Sequence, residues 1–298
     1  MKILVGCCFG IGNSVLRVPA LKALATRGTV DVLIGSGPDD AGASVVFSHL
    51  QMFHGRVRAV WTDVADFDTE YDVAVMAIPF DGRWRNGAHF RAKAVIDGRK
   101  RPGNVDRLGF DMWERHEVEY QMENAKALGY DGPVPSMEFT EPQAERSSGL
   151  VYLGLGYKRD AGGFGLSKHW GTERYVRFVN RVCELRPGTK FIATGDMRDL
   201  IEVGADLLRS TDAAFHCCNL AQAFEQAGKA AVYVGNDTGM MHVAASQGTP
   251  AYAFMLSEHL VRKNHPWGVP YRASIIGQSS PEDAAVDFLR FWDENRRG

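Results

Sequence analysis

Several large classes are set aside by what this sequence lacks. No run approaches the ~20 consecutive apolar residues of a membrane-spanning helix, and the opening MKILVGCCFG reads as a strand without a charged, long-apolar leader, so the expectation is no signal peptide and a cytoplasmic protein. The five cysteines, Cys7, Cys8, Cys183, Cys217 and Cys218, are odd in number and include two adjacent pairs. That pattern is no disulfide framework and lacks the spacing of a structural zinc site. A net charge of −2 removes the bulk electrostatic case for coating nucleic acid and leaves only a local basic face open. His116-Glu117 has no second histidine to complete a zinc-protease motif, and no G-x-S-x-G elbow occurs. FGIGN, residues 9–13, has glycines at alternate positions but is neither a Walker loop nor a complete dinucleotide fingerprint. No repeat with a period of ~20–50 residues is visible.

What remains is a chain of 298 residues, 45% hydrophobic, enough for one large core or two of ordinary size. Apolar runs at 2–5, 30–34, 56–60 and 72–78 suit buried strands, and helical stripes at 14–27 and 45–53 alternate with them. That rhythm predicts a parallel sheet with helices on its faces. An amphipathic helix over 113–128 follows, with Val118, Met122, Ala125 and Leu128 on one face and Gly129 as its stop. The pattern then restarts. Strands are expected at 150–155, 190–194, 230–234 and 251–254, and helices at 172–185, 197–208 and within 216–226, with 260–276 irregular. Ser280-Pro281-Glu282-Asp283 has a capping residue, a proline at the first helical position and first-turn acids. It opens a last helix to about residue 294, with Ala285, Phe288, Leu289 and Trp292 on its buried face. The expected organisation is a domain over 1–140, a linker over 141–149, a second domain over 150–280, and a helix over 281–298 free to pack back on the first domain.

Residues 230–254, AAVYVGNDTGMMHVAASQGTPAYAF, read as strand, tight turn, small apolar helix, Gly-Thr-Pro turn and strand. A helix that starts directly after a strand presents free N–H groups and a positive dipole end, so Thr238 and Gly239 mark an anion seat. The same pattern also fits a plain αβ unit with Thr238 as its cap, and locally the two readings stand level. Upstream, residues 156–171 form a glycine-rich loop with Lys158, Arg159 and Lys168, cations that with the helix terminus suit a diphosphate. His242, four residues into the helix, is open to a ligand role or to simple packing. Residues 79–109 are the most basic stretch, with Trp84 and Phe90 interleaved, and read as an acceptor-binding loop for an anionic substrate or as a solvated loop. Asp66-Phe67-Asp68 has the spacing of a metal-holding acid pair, but it is set in a polar loop with Asp63 and Glu70 nearby, and a solvated loop is the favoured reading.

Three ordered stretches carry a resemblance. NDTGMMHVAASQGTPAYAF, FGIGNSVLRVPALKAL and LSKHWGTERYVRFVNRV are similar to motifs of glycosyltransferase family 9, the heptosyltransferase-like sugar transferases, and HEVEYQMENAKALGY is similar to the helix closing that family's first domain. The resemblance implies an α/β GT-B fold, two Rossmann-like doubly wound domains facing a central cleft. It implies an inverting, metal-independent transfer of a sugar from a nucleoside-diphosphate sugar to an acceptor hydroxyl, of lipopolysaccharide or a related glycan, with no cofactor beyond that donor. Carried over by position, Lys168 and the backbone of Thr238, Gly239 and Met240 hold the donor diphosphate, and Asp237 and His242 shape the pocket. Gly10, Gly12 and Asn13 line the reaction side, with Arg17, Arg83 and Arg85 on the acceptor side.

Asn13 departs from the family, which has an aspartate there as its base; an amide cannot accept a proton from an acceptor hydroxyl. Asp81, at the end of the fourth expected strand, is the substitute candidate, and an ordinary loop acid is its plain alternative. The departure keeps two other functions in view: glycosylation of a nucleic-acid base or small metabolite on the same fold, and a catalytically silent nucleotide-sugar binder. Partners are the donor, a glycan or other hydroxyl acceptor with an anionic one included, peripheral membrane contact, and nucleic acid as the remotest.

Overall fold

The computed structural model describes residues 1–6, 10–34, 41–61, 69–76, 91–97, 115–141, 145–156, 168–195, 197 and 200–296. The chain divides into two compact units, Met1–Glu141 and Pro142–Gly298.

The first unit alternates β1 (Lys2–Gly6), α1 (Ile11–Ala25), β2 (Thr29–Ile34), α2 (Ala41–Phe53), β3 (Val57–Trp61), β4 (Glu70–Met76) and β5 (Arg91–Asp97), and ends with α3 (Glu117–Ala127). All strands run parallel in the order β3-β2-β1-β4-β5. β1 and β2 are apolar runs buried along almost their whole length, as strands covered on both faces must be. α1 is buried from Ser14 to Ala25 because both α2 and α3 pack on it. Asp31, buried on β2, is held by a bidentate Arg58 at 2.7 Å and by the Tyr71 hydroxyl at 2.9 Å.

The second unit contains β6 (Ser147–Gly154), α4 (Thr172–Leu185), β7 (Lys190–Gly195), a π-wound turn (Leu200–Gly204) leading into α5 (Ala205–Ser210), and β8 (Ala214–Cys217). It continues through α6 (Leu220–Lys229), β9 (Ala230–Asn236), α7 (Gly239–Ser246), β10 (Ala251–Met255), α8 (Glu258–Asn264), β11 (Tyr271–Ile275) and α9 (Pro281–Asn295). Its parallel sheet has the order β11-β10-β9-β6-β7-β8. The core is aromatic: Trp170, Tyr175, Phe178, Tyr252, Phe254, Phe288 and Trp292 fill the space between the sheet, α4 and α9. The last helix thus lies within the second unit, its apolar face against α4. The stretch expected as linker is shorter than 141–149, since β6 already begins at Ser147.

Three strands and one helix lie where irregular or helical structure is expected. β5 falls inside the basic stretch, β8 falls beside the short helix, and α8 with β11 occupies the segment read as irregular. β5, β8 and β11 are each the outermost strand of a sheet. An edge strand covered on one side needs no continuous apolar run, and RAKAVID and AFHC have none. α8 has no buried residue, hence no apolar stripe to read. No helix among the described residues is long and apolar enough to cross a membrane.

Candidate functional site

In the second unit the chain winds outward from β6 through β7 to β8, and from β9 through β10 to β11 the other way. Loops leaving β6 and β9 at their carboxyl ends therefore diverge, and such a switch point is where parallel sheets place a ligand. Gly154 and Gly235 face each other across this pair. A Cβ on Gly235 would fall on the Gly154 backbone, and one on Gly154 would fall into the Tyr233 ring. The space goes to Tyr233, whose hydroxyl donates to the Asn236 carbonyl at 2.9 Å and lies 3.5 Å from Thr238 Oγ1.

Asn236 ties the switch point together. Its Nδ2 donates to the carbonyls of Leu155 and Gly156, each at 3.2 Å. Its Oδ1 accepts from the Trp170 N–H at 3.1 Å and the Tyr175 hydroxyl at 2.7 Å. The buried amide thus uses both donors and both acceptor positions, fixing the ends of β6 and β9 to the segment before α4. Burial pushes the Tyr175 hydroxyl well above its ordinary pKa, so it stays a donor.

Trp170 sets the next piece. Its indole stacks on Phe254 with centroids 3.7 Å apart and meets Tyr175 and Phe178 edge-on. Two residues earlier, Lys168 Nζ donates to Asp237 Oδ2 at 2.6 Å, joining the loop before α4 to the β9–α7 turn. The Asp237 side chain is 5% exposed and that of Lys168 28%, so the lysine keeps an open side.

α7 begins immediately afterwards. Thr238 sits at the N-cap with extended backbone, but its side chain makes no capping bond. The half-buried first turn, Gly239 and Met240, therefore offers backbone N–H groups that Thr238 leaves uncapped. The other end is closed: Gly248, at φ +75°, bonds back to Ala245, and Thr249 N–H reaches Ala244 O at 2.9 Å, a Schellman stop. His242 is 3% exposed, and its Nδ1 has no hydrogen-bond partner among the described residues. Burial first, then Lys168 and His265, pull its pKa down to about 3, so the ring is neutral at neutral pH.

Lys168, Asp237, Thr238, Gly239, Met240 and His242 thus belong to one constellation around the start of α7. The reading of Thr238 as a plain cap does not hold for its side chain. In the first unit Gly10, at φ +81°, is the N-cap of α1, and its carbonyl accepts from Ser14 N–H at 3.2 Å and Ser14 Oγ at 2.8 Å. Gly12 is half-buried and Asn13 exposed on the first turn of α1. Arg17, expected on the acceptor side, is 1% exposed, and its guanidinium donates to the Gly6 carbonyl at the end of β1. Asp81, Arg83, Arg85, Lys158, Arg159 and the Asp66–Asp68 pair lie outside the described residues. Asn236, Tyr233 and Tyr175 are the site-building residues that the motif reading passes over; the one available signal is a polar Asn236 ending an otherwise apolar strand.

A helix start with uncapped N–H groups, a half-open lysine and a buried neutral imidazole stand together here, an arrangement with the chemistry to receive an anionic group. The sequence profile of Glycosyltransferase family 9 (heptosyltransferase) matches residues 110–269. No curated protein sequence matches the chain. Among solved structures, Escherichia coli heptosyltransferase WaaC with ADP superposes with a TM-score of 0.71 at 15% identity, covering 99% of this chain and 100% of that one. E. coli ADP-heptose lipopolysaccharide heptosyltransferase II gives 0.68 at 16%, with 99% and 100% covered. The iron-containing dodecameric heptosyltransferase TibC of E. coli gives 0.55 at 10%, with 94% of this chain and 64% of that one covered. These likenesses establish the fold: two parallel-sheet α/β units of the GT-B type.

Proposed function

This chain belongs to glycosyltransferase family 9, and on that premise we propose that it moves a sugar from a nucleoside-diphosphate sugar to an acceptor hydroxyl, with inversion and without a metal. The observation that carries the reading is the uncapped start of α7 facing a lysine that Asp237 holds at 2.6 Å. The donor diphosphate sits on the N–H groups of Thr238, Gly239 and Met240, with Lys168 turned toward it. Asp81 takes the acceptor proton, the acceptor oxygen attacks the anomeric carbon, and the carbon–oxygen bond to the diphosphate breaks, its electron pair leaving with the phosphate. Asn13 orients the acceptor.

ADP-linked sugars head the list of donors because ADP and ADP-heptose are what two of the structural neighbours are described with or named for. A thermal-shift panel of ADP-, GDP-, UDP-, CDP- and dTDP-linked sugars tests the reading: a bound donor raises the melting temperature in proportion to the logarithm of its concentration over Kd. No shift with any of them overturns it. TibC is described as iron-containing, so transfer is also measured before and after exhaustive chelation, and loss of activity restored by iron overturns metal independence.

Asn13 in place of the family's aspartate, with the basic stretch 79–109, motivates a second reading, in which the acceptor is a nucleic-acid base or small metabolite. Mass spectrometry of lipopolysaccharide, DNA and small-molecule acceptors after incubation with donor separates the two. Hydrolysis or transfer of any donor removes the third reading, a silent binder.

A further inference from the structure

We propose that His242 takes up one proton when the donor diphosphate enters, and that the imidazolium so formed, beside Lys168, offsets the charge of the departing nucleoside diphosphate. This rests on the reading of the α7 start as a diphosphate seat and goes beyond it by assigning a proton.

His242 is the fourth residue of α7, and helical side chains slant toward the N-terminus. Its ring therefore lies back over the turn where the ligand would sit. It is 3% exposed, with Nδ1 buried and without a partner among the described residues. Buried imidazole nitrogens normally have partners, and an unmet one is a cost that a phosphate oxygen at this turn removes.

Charge points the same way. Among the described residues, the ionisable groups whose charge acts on the ring are Lys168 from the loop before α4 and His265 from the end of α8, with Asp237 in the adjoining turn bound to Lys168. His265 is fixed in place: Nδ1 lies 3.0 Å from the Val261 carbonyl, and the ring stacks on Tyr271 with centroids 4.5 Å apart. The Lys168 charge is already matched by Asp237 before a ligand arrives. An entering diphosphate therefore brings negative charge that this pair does not offset.

Without a ligand, burial, Lys168 and His265 keep the ring neutral. Against the burial, a phosphate oxygen sets two opposing influences: it counteracts the fields of Lys168 and His265, and it accepts a charge-assisted bond from the ring. The proton comes from solvent. When the anomeric carbon–oxygen bond breaks, the electron pair stays on the phosphate oxygen, the imidazolium N–H bonds the diphosphate, and the proton returns to solvent as product leaves.

The test is calorimetric titration of the full chain with ADP-heptose, without acceptor, at pH 7 in buffers of different protonation enthalpy. A nucleoside-diphosphate sugar has no group of its own titrating near neutrality, so the buffer dependence counts protein protons. The expected result is uptake of about one proton per donor, with affinity falling about tenfold per pH unit between the free-state and the bound-state pKa and level above the latter. H242Q is expected to bind with no uptake and a flat pH profile. Binding to the wild type with no proton uptake overturns the proposal and leaves the diphosphate seat standing. Proton uptake retained in folded H242Q also overturns it, assigning the proton elsewhere. Failure of ADP-heptose and every other nucleotide sugar to bind overturns the seat itself.

Discussion

The two units share a parallel, doubly wound construction but invest it differently at the ends of their central strands. In the second unit, the residues around the β9–α7 turn are buried and cross-bonded: Asn236 makes four hydrogen bonds, Trp170 is stacked in the core, and Lys168 is paired with Asp237. In the first unit, Gly10 and Gly12 are half-buried and Asn13 exposed at the start of α1, the buried Arg17 is turned to the Gly6 carbonyl, and the other candidates lie outside the described residues. A site that must grip one diphosphate geometry gains from a rigid frame, whereas acceptor contacts placed on turns and loops change without disturbing a core. On the proposed function, this separates a fixed donor side from an adaptable acceptor side.

The sharpest way to break that division is on the acceptor side. D81N is expected to lower kcat by about 10²–10⁴-fold, the usual worth of a general base, with donor Kd unchanged in calorimetry. A loss of donor affinity instead would move Asp81 out of the acceptor role. Next in size, W170A removes the indole stacked on Phe254 and should cost about 3–5 kcal/mol in urea unfolding. Donor affinity should fall with it, because the same segment carries Lys168; undiminished affinity in the folded variant would show that Lys168 is positioned independently of the core.

K168A is expected to weaken donor binding by about 1.5–3 kcal/mol, the loss of a charge-assisted contact. An unchanged Kd for every nucleotide sugar would remove Lys168 from the seat. The pH dependence of stability probes the same frame. His242 titrates at about 3 in the folded chain and near 6.5 when unfolded, so the unfolded chain takes its proton first as the pH falls. Its contribution is therefore complete above about pH 6.5 and is lost toward pH 3, by about 1.4 kcal/mol per pH unit across that window. Urea unfolding of wild type and H242Q at pH 7.5 and pH 5 should show the two responses diverging by about 2 kcal/mol; parallel curves would mean that the ring is not buried in solution. The smallest effect is expected for N13A: donor Kd within about twofold of wild type, because Asn13 stands outside the constellation around the start of α7, and a modest fall in acceptor turnover.

Much of the site is legible from local pattern. The β9–α7–β10 unit stands out because an apolar run, a Gly-Asn-Asp break and a Gly-Thr-Pro stop follow one another, each with a short-range cause. Gly248 behaves as expected because a Schellman stop needs only a residue tolerant of positive φ. Three of the four edge strands are invisible for the opposite reason, since pairing with one neighbour places little demand on the side chains of β5, β8 and β11. The burial of Arg17 is not legible locally; only the packing of α1 under α2 and α3 shows it.

By itself the sequence determined the α/β class and the succession along the chain of the central strands and helices, because each depends on periodicity and turn chemistry within a few residues. Tertiary structure alone decided what builds the candidate site. Asn236 acquires its four partners from chain segments up to 81 residues away. Lys168 meets Asp237 across 69 residues, and Gly154 and Gly235 face each other only because the sheet reverses its winding between β6 and β9. Such pairings follow from strand order, and strand order is set by which buried faces find each other, a property of the whole unit that no local stretch contains.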